Sequence, residues 1–183
     1  MKILAVISSP NHEGKSAALT KIVCNKAAEQ GAEIEYVYLF DLNFKGCGNC
    51  EVLPDDPLWC NRQDDLVPVM KKLIEADAVV WSFPIHMDYM NGAAKTFFDR
   101  FCIFINPDFT VNRIQDKKFV LISTCGAPAK YYAEVVEKVA QTMKNFFKLD
   151  VVGTLLAGET MPPEKEFPAE IIARAKEIGA KLC

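Results

Sequence analysis

The chain lacks any uninterrupted apolar stretch near the ~20 residues that cross a bilayer, which predicts no membrane span. It also lacks a charge excess of one sign. The net charge is −3 with both signs scattered along the chain, so a polyanionic partner such as nucleic acid is not expected. An apolar run begins at residue 3 and leaves no room before it for a signal peptide. Seven cysteines make an odd count, and their placement within helical patterns and after a strand does not read as a disulfide framework. A reducing cytoplasm is the expected compartment. No G-x-G-x-x-G turn follows the first apolar run, which argues against a dinucleotide fingerprint. What remains is an ordinary soluble composition, half apolar and a quarter charged, in 183 residues, enough for one domain with a substantial core.

Strand and helix patterns alternate through that length. Ile3–Ser8 reads as a first strand and Lys15–Gln30 as a helix stopped by Gly31. Glu33–Phe40 reads as a second strand, and residues 41–62 as a long aperiodic loop carrying three cysteines. Asp64-Asp65 is expected to cap a helix whose apolar stripe is Leu66, Val69, Met70, Leu73 and Ile74. Ala76–Ser82 is the third strand and Phe83–Asn91 a loop. The next helix shows Ala94, Phe97, Phe98, Phe101, Cys102 and Ile105 on one face. Lys118–Thr124 and Asp150–Ala157 are the last two strands, separated by a helix over about 131–148 and followed by one over about 164–182. Strands spaced by helices predict a parallel sheet covered on both faces. Right-handed crossovers favour a flavodoxin-like α/β three-layer sandwich, five strands in the order 2-1-3-4-5, as a single domain over residues 1–183. Ligands of such sheets bind beyond the carboxyl ends of the strands where strand order reverses, here between the first and third strands.

Three loops reach that edge. In the first, Gly14-Lys15-Ser16 matches the end of a nucleotide-triphosphate P-loop, but the position of that motif's first glycine is Ser9, so the tight backbone cradle is missing. Ser9, Asn11, Lys15 and Ser16 with the N–H groups up to Ala17 instead suit one monoester phosphate at a helix N-terminus. The alternative is a plain strand-to-helix turn capped by Ser and Asn. In the second loop, Pro84 restricts the backbone, Ile85, Met87 and Tyr89 offer an apolar wall, and His86 is either a group that hydrogen-bonds or stacks on a ligand or a plain surface histidine. In the third, Thr124, Cys125 and Gly126 can present backbone N–H groups, with Gly126 allowing close approach, or they form a simple strand-to-helix turn. Phosphate donors, a wall and a polar edge on one crevice match the demands of flavin mononucleotide (FMN).

These segments resemble a known family. SSPNHEGKS is similar to the G-S-P-R-x-x-G-N-T phosphate loop of the NADPH-dependent FMN reductases and iron–sulfur flavoproteins. DLNFKGCGNCE resembles their cysteine-bearing segment, and DDLVPVMKKLIEADAVVWSFPIHMDYMNGAAKTFFDR their D-D-M…A-D…S-P-V-Y…K-F-D-R block. The resemblance covers most of residues 1–157 and implies FMN held by Ser9, Asn11, Lys15 and Ser16 at the phosphate. It places Pro84, Ile85, His86 and Met87 beside the isoalloxazine, with Thr124, Cys125 and Gly126 completing the pocket. Asn11 stands where the family has Arg, with Lys15 as a substitute cation, and His86 stands where it has Tyr. Iron–sulfur flavoproteins carry four cysteines in the loop after the second strand. Here Cys47, Cys50 and Cys60 are present and Leu53 takes the place of the other, so a 4Fe–4S cluster is not expected unless a non-cysteine ligand completes it. A Cys47/Cys50 dithiol or plain structural thiols are the other readings; Leu58 and Trp59 are candidates to cover the flavin.

The implied activity is transfer of reducing equivalents from NAD(P)H through FMN to a small acceptor such as a flavin or quinone, with no side chain acting as nucleophile or base. A non-enzymatic electron carrier or redox sensor is the alternative, and a P-loop-like phosphotransferase a weaker one. The apolar stretch Ile103–Ile105 with Phe109, and the family's habit, imply a homodimer or homotetramer.

Overall fold

A computed structural model describes residues 1–48, 60 and 62–183. Five parallel strands form the sheet: β1 (Lys2–Ile7), β2 (Glu33–Tyr38), β3 (Ala78–His86), β5 (Lys118–Thr124) and β6 (Asp150–Ala157). Their order is β2-β1-β3-β5-β6, the expected 2-1-3-4-5 arrangement of a flavodoxin-like fold. A short strand, β4 (Tyr89–Met90), is added antiparallel to β3. β1 lies between β2 and β3 with Ile3 paired to Ile34 on one side and to Ala78 on the other.

Alternation along the strands sorts their side chains onto two faces. Leu4, Val6, Val79, Trp81, Phe83, Phe119 and Leu121 pack into one core with helices α2 (Leu66–Glu75), α3 (Gly92–Asp99) and α4 (Ala133–Asn145). Ile3, Ala5, Ala78, Val80, Val120 and Ile122 pack into the other with α1 (Lys15–Ala28) and α5 (Ala169–Ala180). An aromatic chain runs through the first core: Trp81 meets Phe97 edge-on at 5.3 Å between ring centroids, and Phe101 meets Phe147 at 5.2 Å. Burying these large rings supplies much of the hydrophobic driving force on that side. On the other side α1 and α5 approach closely at Gly179, where an added Cβ would lie 2.3 Å from the Val23 carbonyl oxygen.

Four expectations need correction. The third strand does not end at Ser82. It continues to His86, because Phe83 and Ile85 are buried and Phe83 and Pro84 pair with Ser123 and Thr124 of β5. The segment read as the loop Phe83–Asn91 is therefore mostly a β-hairpin. Its turn residues Met87 and Asp88 have φ of 47° and 65°, the left-handed pair of a type I′ turn. That turn favours Asn-Gly, and Met-Asp gives no such signal. The helix expected to reach Ile105 ends at Asp99, and residues 100–104 tighten into a 3₁₀ turn carrying Cys102. The last helix begins at Ala169, not residue 164, since Pro168 fixes its entry. Gly31, by contrast, takes φ 91° as a helix stop requires. The Asp64-Asp65 cap is half right: Asp65 makes no side-chain cap bond, while the Asp64 carboxylate accepts the Leu66 N–H at 3.2 Å.

Candidate functional site at the carboxyl edge of the sheet

Side chains on the α1 side of the sheet end in hydroxyls. Ser82 follows Ala78 and Val80 on that face of β3, and Thr124 follows Val120 and Ile122 on that face of β5. Ser16, in the first turn of α1, bonds to Thr124 hydroxyl to hydroxyl at 2.8 Å, and both are buried. The Ser82 hydroxyl is fully buried and has no hydrogen-bond partner among the described residues. An orphaned buried oxygen is costly, and it lies on the same face as the other hydroxyls. The sequence places Ser82 at the end of an apolar strand, and periodicity alone gives its hydroxyl no role.

Loop 8–14 is shaped by its own polar groups. The Ser9 hydroxyl donates to the Asn11 carbonyl at 3.1 Å and accepts the Asn11 N–H at 3.2 Å, and the Asn11 side chain accepts the Glu13 N–H at 2.9 Å. Gly14 sits inside this curl, where a Cβ would come within 3.0 Å of the Asn11 carbonyl and 3.1 Å of the Ser9 hydroxyl. Its φ of −71° is ordinary, so space and not conformation asks for glycine. α1 starts immediately after, with no side-chain cap bond at its N-cap. The N–H groups of its first turn have no intrahelical acceptor and suit an anion. Ala17 in that turn is fully buried. His12 anchors the far side of the loop, stacked on Tyr38 at 4.0 Å with Nε2 2.9 Å from Asp41.

Lys15 does not sit with the hydroxyls. Its ammonium donates to the Lys165 carbonyl and lies 4.8 Å over the Phe167 ring. The cation–π contact with Phe167 and the bond to the Lys165 carbonyl draw this charge to the segment before α5.

The hairpin is latched to the end of β1. Asn91 caps α3 by accepting the Ala94 N–H at 3.0 Å, and its amide donates to the Ser8 carbonyl at 2.5 Å. Trp81 donates its indole N–H to the Ser8 hydroxyl at 3.0 Å. Pro84 is half-buried and Ile85 buried, whereas His86 is exposed and Met87 is 97% exposed at the tip. The Asp88 carboxylate at the tip raises the phenol pKa of Tyr132, in the segment after β5.

In the third loop, Thr124 and Cys125 are buried and Gly126 is exposed. Cys125 donates its backbone N–H to the Ala157 carbonyl at 2.9 Å, so that N–H is already used. Its carbonyl accepts from the Thr160 hydroxyl at 3.0 Å. Burial pushes the Cys125 thiol pKa up, which keeps it neutral at physiological pH. The first and second loops are thus joined through Asn91, and the first and third through Ser16 and Thr124.

Of the cysteine-bearing segment, Cys50, Leu53, Leu58 and Trp59 lie outside the described residues. Cys47 is exposed and Cys60 is buried. Arg100, 2% exposed in its side chain, holds this region together. It donates to both Asp64 oxygens at 2.8 and 3.1 Å, to the Lys45 carbonyl at 3.1 Å and to the Cys60 sulfur at 3.3 Å. Burial alone would push the Asp64 carboxyl upward, but the Arg100 bonds and the Lys45 and Leu66 N–H groups outweigh it and hold the pKa below the usual range. Among the described residues no three His, Cys, Asp or Glu side chains lie close enough to share a metal. No helix among them is long and apolar enough to cross a membrane.

Residues 1–160 match the family model of the NADPH-dependent FMN reductases. An iron–sulfur flavoprotein of Archaeoglobus fulgidus is 33% identical over 101 residues, 55% of this chain and 48% of that protein. One of Methanocaldococcus jannaschii is 29% identical over 100 residues, 55% of this chain and 51% of that protein. The chain spans about half the length of these two curated relatives. A flavone reductase structure superposes with a TM-score of 0.76 at 22% identity, covering 100% of this chain and 62% of that one, a likeness of fold.

Proposed function

We propose, from the premise that this chain belongs to the NADPH-dependent FMN reductase family, that it binds FMN at the carboxyl edge of the sheet and works as an NAD(P)H-dependent oxidoreductase. The observation that carries the reading is the pair of buried links, Ser16 to Thr124 and Asn91 to Ser8, which fix three ligand-facing loops into one crevice.

The residues fit the cofactor. The Ser9 curl and the first-turn N–H groups at Lys15, Ser16 and Ala17 suit the phosphate, and the Ser82 hydroxyl, without a partner among the described residues, ends the α1-side face of β3. Asn11 would donate its side-chain amide, and Lys15 would add charge by leaving Phe167. Pro84, Ile85, His86 and Met87 supply the face of the ring site, and Thr124, Cys125 and Gly126 its edge. When bound, FMN would accept a hydride from NAD(P)H and pass the electrons to a small acceptor. The neutral Cys125 thiol adds no negative charge beside the ring. Met87 at the tip leaves one side of the wall open to a second ligand. Leu53 takes the place of one cysteine of the family's pattern, so no step is routed through a cluster. With Phe109 79% exposed after the 3₁₀ turn, the expected assembly is a homodimer or homotetramer, acting without nucleic acid or membrane in the cytoplasm.

The test is anaerobic mixing of FMN-loaded protein with NADH or NADPH. Rapid loss of flavin absorbance without a helper reductase, with ping-pong steady-state kinetics, is the expected result. Protein that fails to bind FMN, or bound flavin that only a second protein reduces, refutes the enzyme reading.

A further inference from the structure

The segment after β6, residues 158–168, runs along the carboxyl edge from the third loop to the first. At one end the Glu159 N–H donates to the Ala127 carbonyl at 2.9 Å, and the Thr160 N–H and hydroxyl both donate to the Cys125 carbonyl, at 3.2 and 3.0 Å. At the other end Phe167, half-buried, packs against the core shared by α1 and α5. Between them the Lys165 N–H closes a turn by donating to the Pro162 carbonyl at 3.0 Å. The Lys165 carbonyl in turn accepts from the Lys15 ammonium, which also lies 4.8 Å over the Phe167 ring. Lys15 therefore ties the first turn of α1 to this segment through two partners that carry no charge.

We propose, on the reading that FMN takes this crevice, that Phe167 and the Lys165 carbonyl compete with the cofactor phosphate for Lys15. Phe167 is then a positioning residue: it sets FMN affinity by holding the one cation of the phosphate loop away from the phosphate. A phosphate at the N–H groups of the first turn offers Lys15 a charge-assisted bond, stronger than a neutral carbonyl or a ring face can give. Moving the ammonium to the phosphate gives up both contacts with the segment, and that loss is subtracted from the binding free energy. The coupling is reciprocal, so the segment weakens FMN binding by the same factor by which FMN loosens the segment. An exposed cation–π contact corresponds to roughly two- to fivefold in affinity. The end held by Cys125 and Ala127 does not involve Lys15 and stays in place.

The experiment titrates FMN, by flavin fluorescence quenching at fixed ionic strength, into the full chain and into Phe167→Leu, Lys15→Met and the double variant. Leucine keeps apolar packing against the core but has no ring face. Phe167→Leu should bind FMN roughly two- to fivefold more tightly than the parent. Lys15→Met should bind more weakly, and Phe167→Leu should change nothing when added to Lys15→Met. A Phe167→Leu variant that binds FMN equally or more weakly, or that gains as much without Lys15, overturns the proposal. Hydrogen exchange at the Lys165 amide gives a second readout. It should be faster in flavin-free Lys15→Met than in the flavin-free parent, and faster in the parent once FMN is added. Equal exchange in the two flavin-free proteins, or slower exchange in the parent with FMN, also overturns it. A parent that binds no FMN refutes the cofactor reading itself, whereas normal FMN binding with these differences missing refutes the competition alone.

Discussion

Replacing Asn91 by alanine removes two bonds with one cut. The side chain caps α3 at the Ala94 N–H and holds the Ser8 carbonyl at the end of β1, and it is 4% exposed. Loss of an N-cap costs ~1 kcal/mol. A buried carbonyl left without a donor costs ~1–3 kcal/mol more. The sum, ~2–4 kcal/mol, should appear in urea unfolding as a lower midpoint with an unchanged slope. At ~2–4 °C per kcal/mol for a domain of this size, the melting temperature should fall by roughly 4–16 °C. Serine at this position separates the two contributions. It caps as well as asparagine but is too short to reach Ser8, so Asn91→Ser should recover ~1 kcal/mol of the loss. An alanine variant less than ~1 kcal/mol weaker than the parent, or a serine variant equal to it, would refute the latch between strand and hairpin.

Other consequences follow from single contacts. Gly179→Ala places a methyl against the backbone of α1 at Val23, and overpacking against backbone should cost at least ~1–3 kcal/mol, measured by denaturant titration. Asp64→Ala strands Arg100 as an unpaired buried cation and should destabilise by ~3–5 kcal/mol. Because the folded Asp64 pKa lies below the unfolded value of ~3.9, this pair's stabilisation is complete above that value. It is lost as pH falls from there through the folded pKa, so the gap between parent and Asp64→Ala should narrow over that acid window in pH-dependent unfolding. Thr124→Val leaves the Ser16 hydroxyl without its partner and should weaken FMN binding by roughly tenfold, equivalent to ~1.4 kcal/mol, as read by flavin fluorescence quenching. Unchanged affinity in that variant would remove the Ser16–Thr124 corner from the proposed site.

The parallel sheet and its strand order were legible in the sequence, since apolar runs such as Val79–Trp81 and Phe119–Ile122 alternate with helical stripes, and few right-handed topologies fit them. Local chemistry also marked Gly31 as a helix stop, because that preference acts within a few residues. Tertiary structure decided the rest. Pairing with β5 carried β3 past Ser82 into a hairpin whose Met87-Asp88 turn has no turn signature of its own. Phe167 and the Lys165 carbonyl, 150 residues away from Lys15 for the carbonyl, drew its ammonium from the loop that its sequence position suggested. The partners of Ser16 and Arg100 likewise come from distant segments. Periodicity reports which side of an element faces the core; it carries no information about which remote polar group completes a buried hydrogen bond, and that choice belongs to the folded chain.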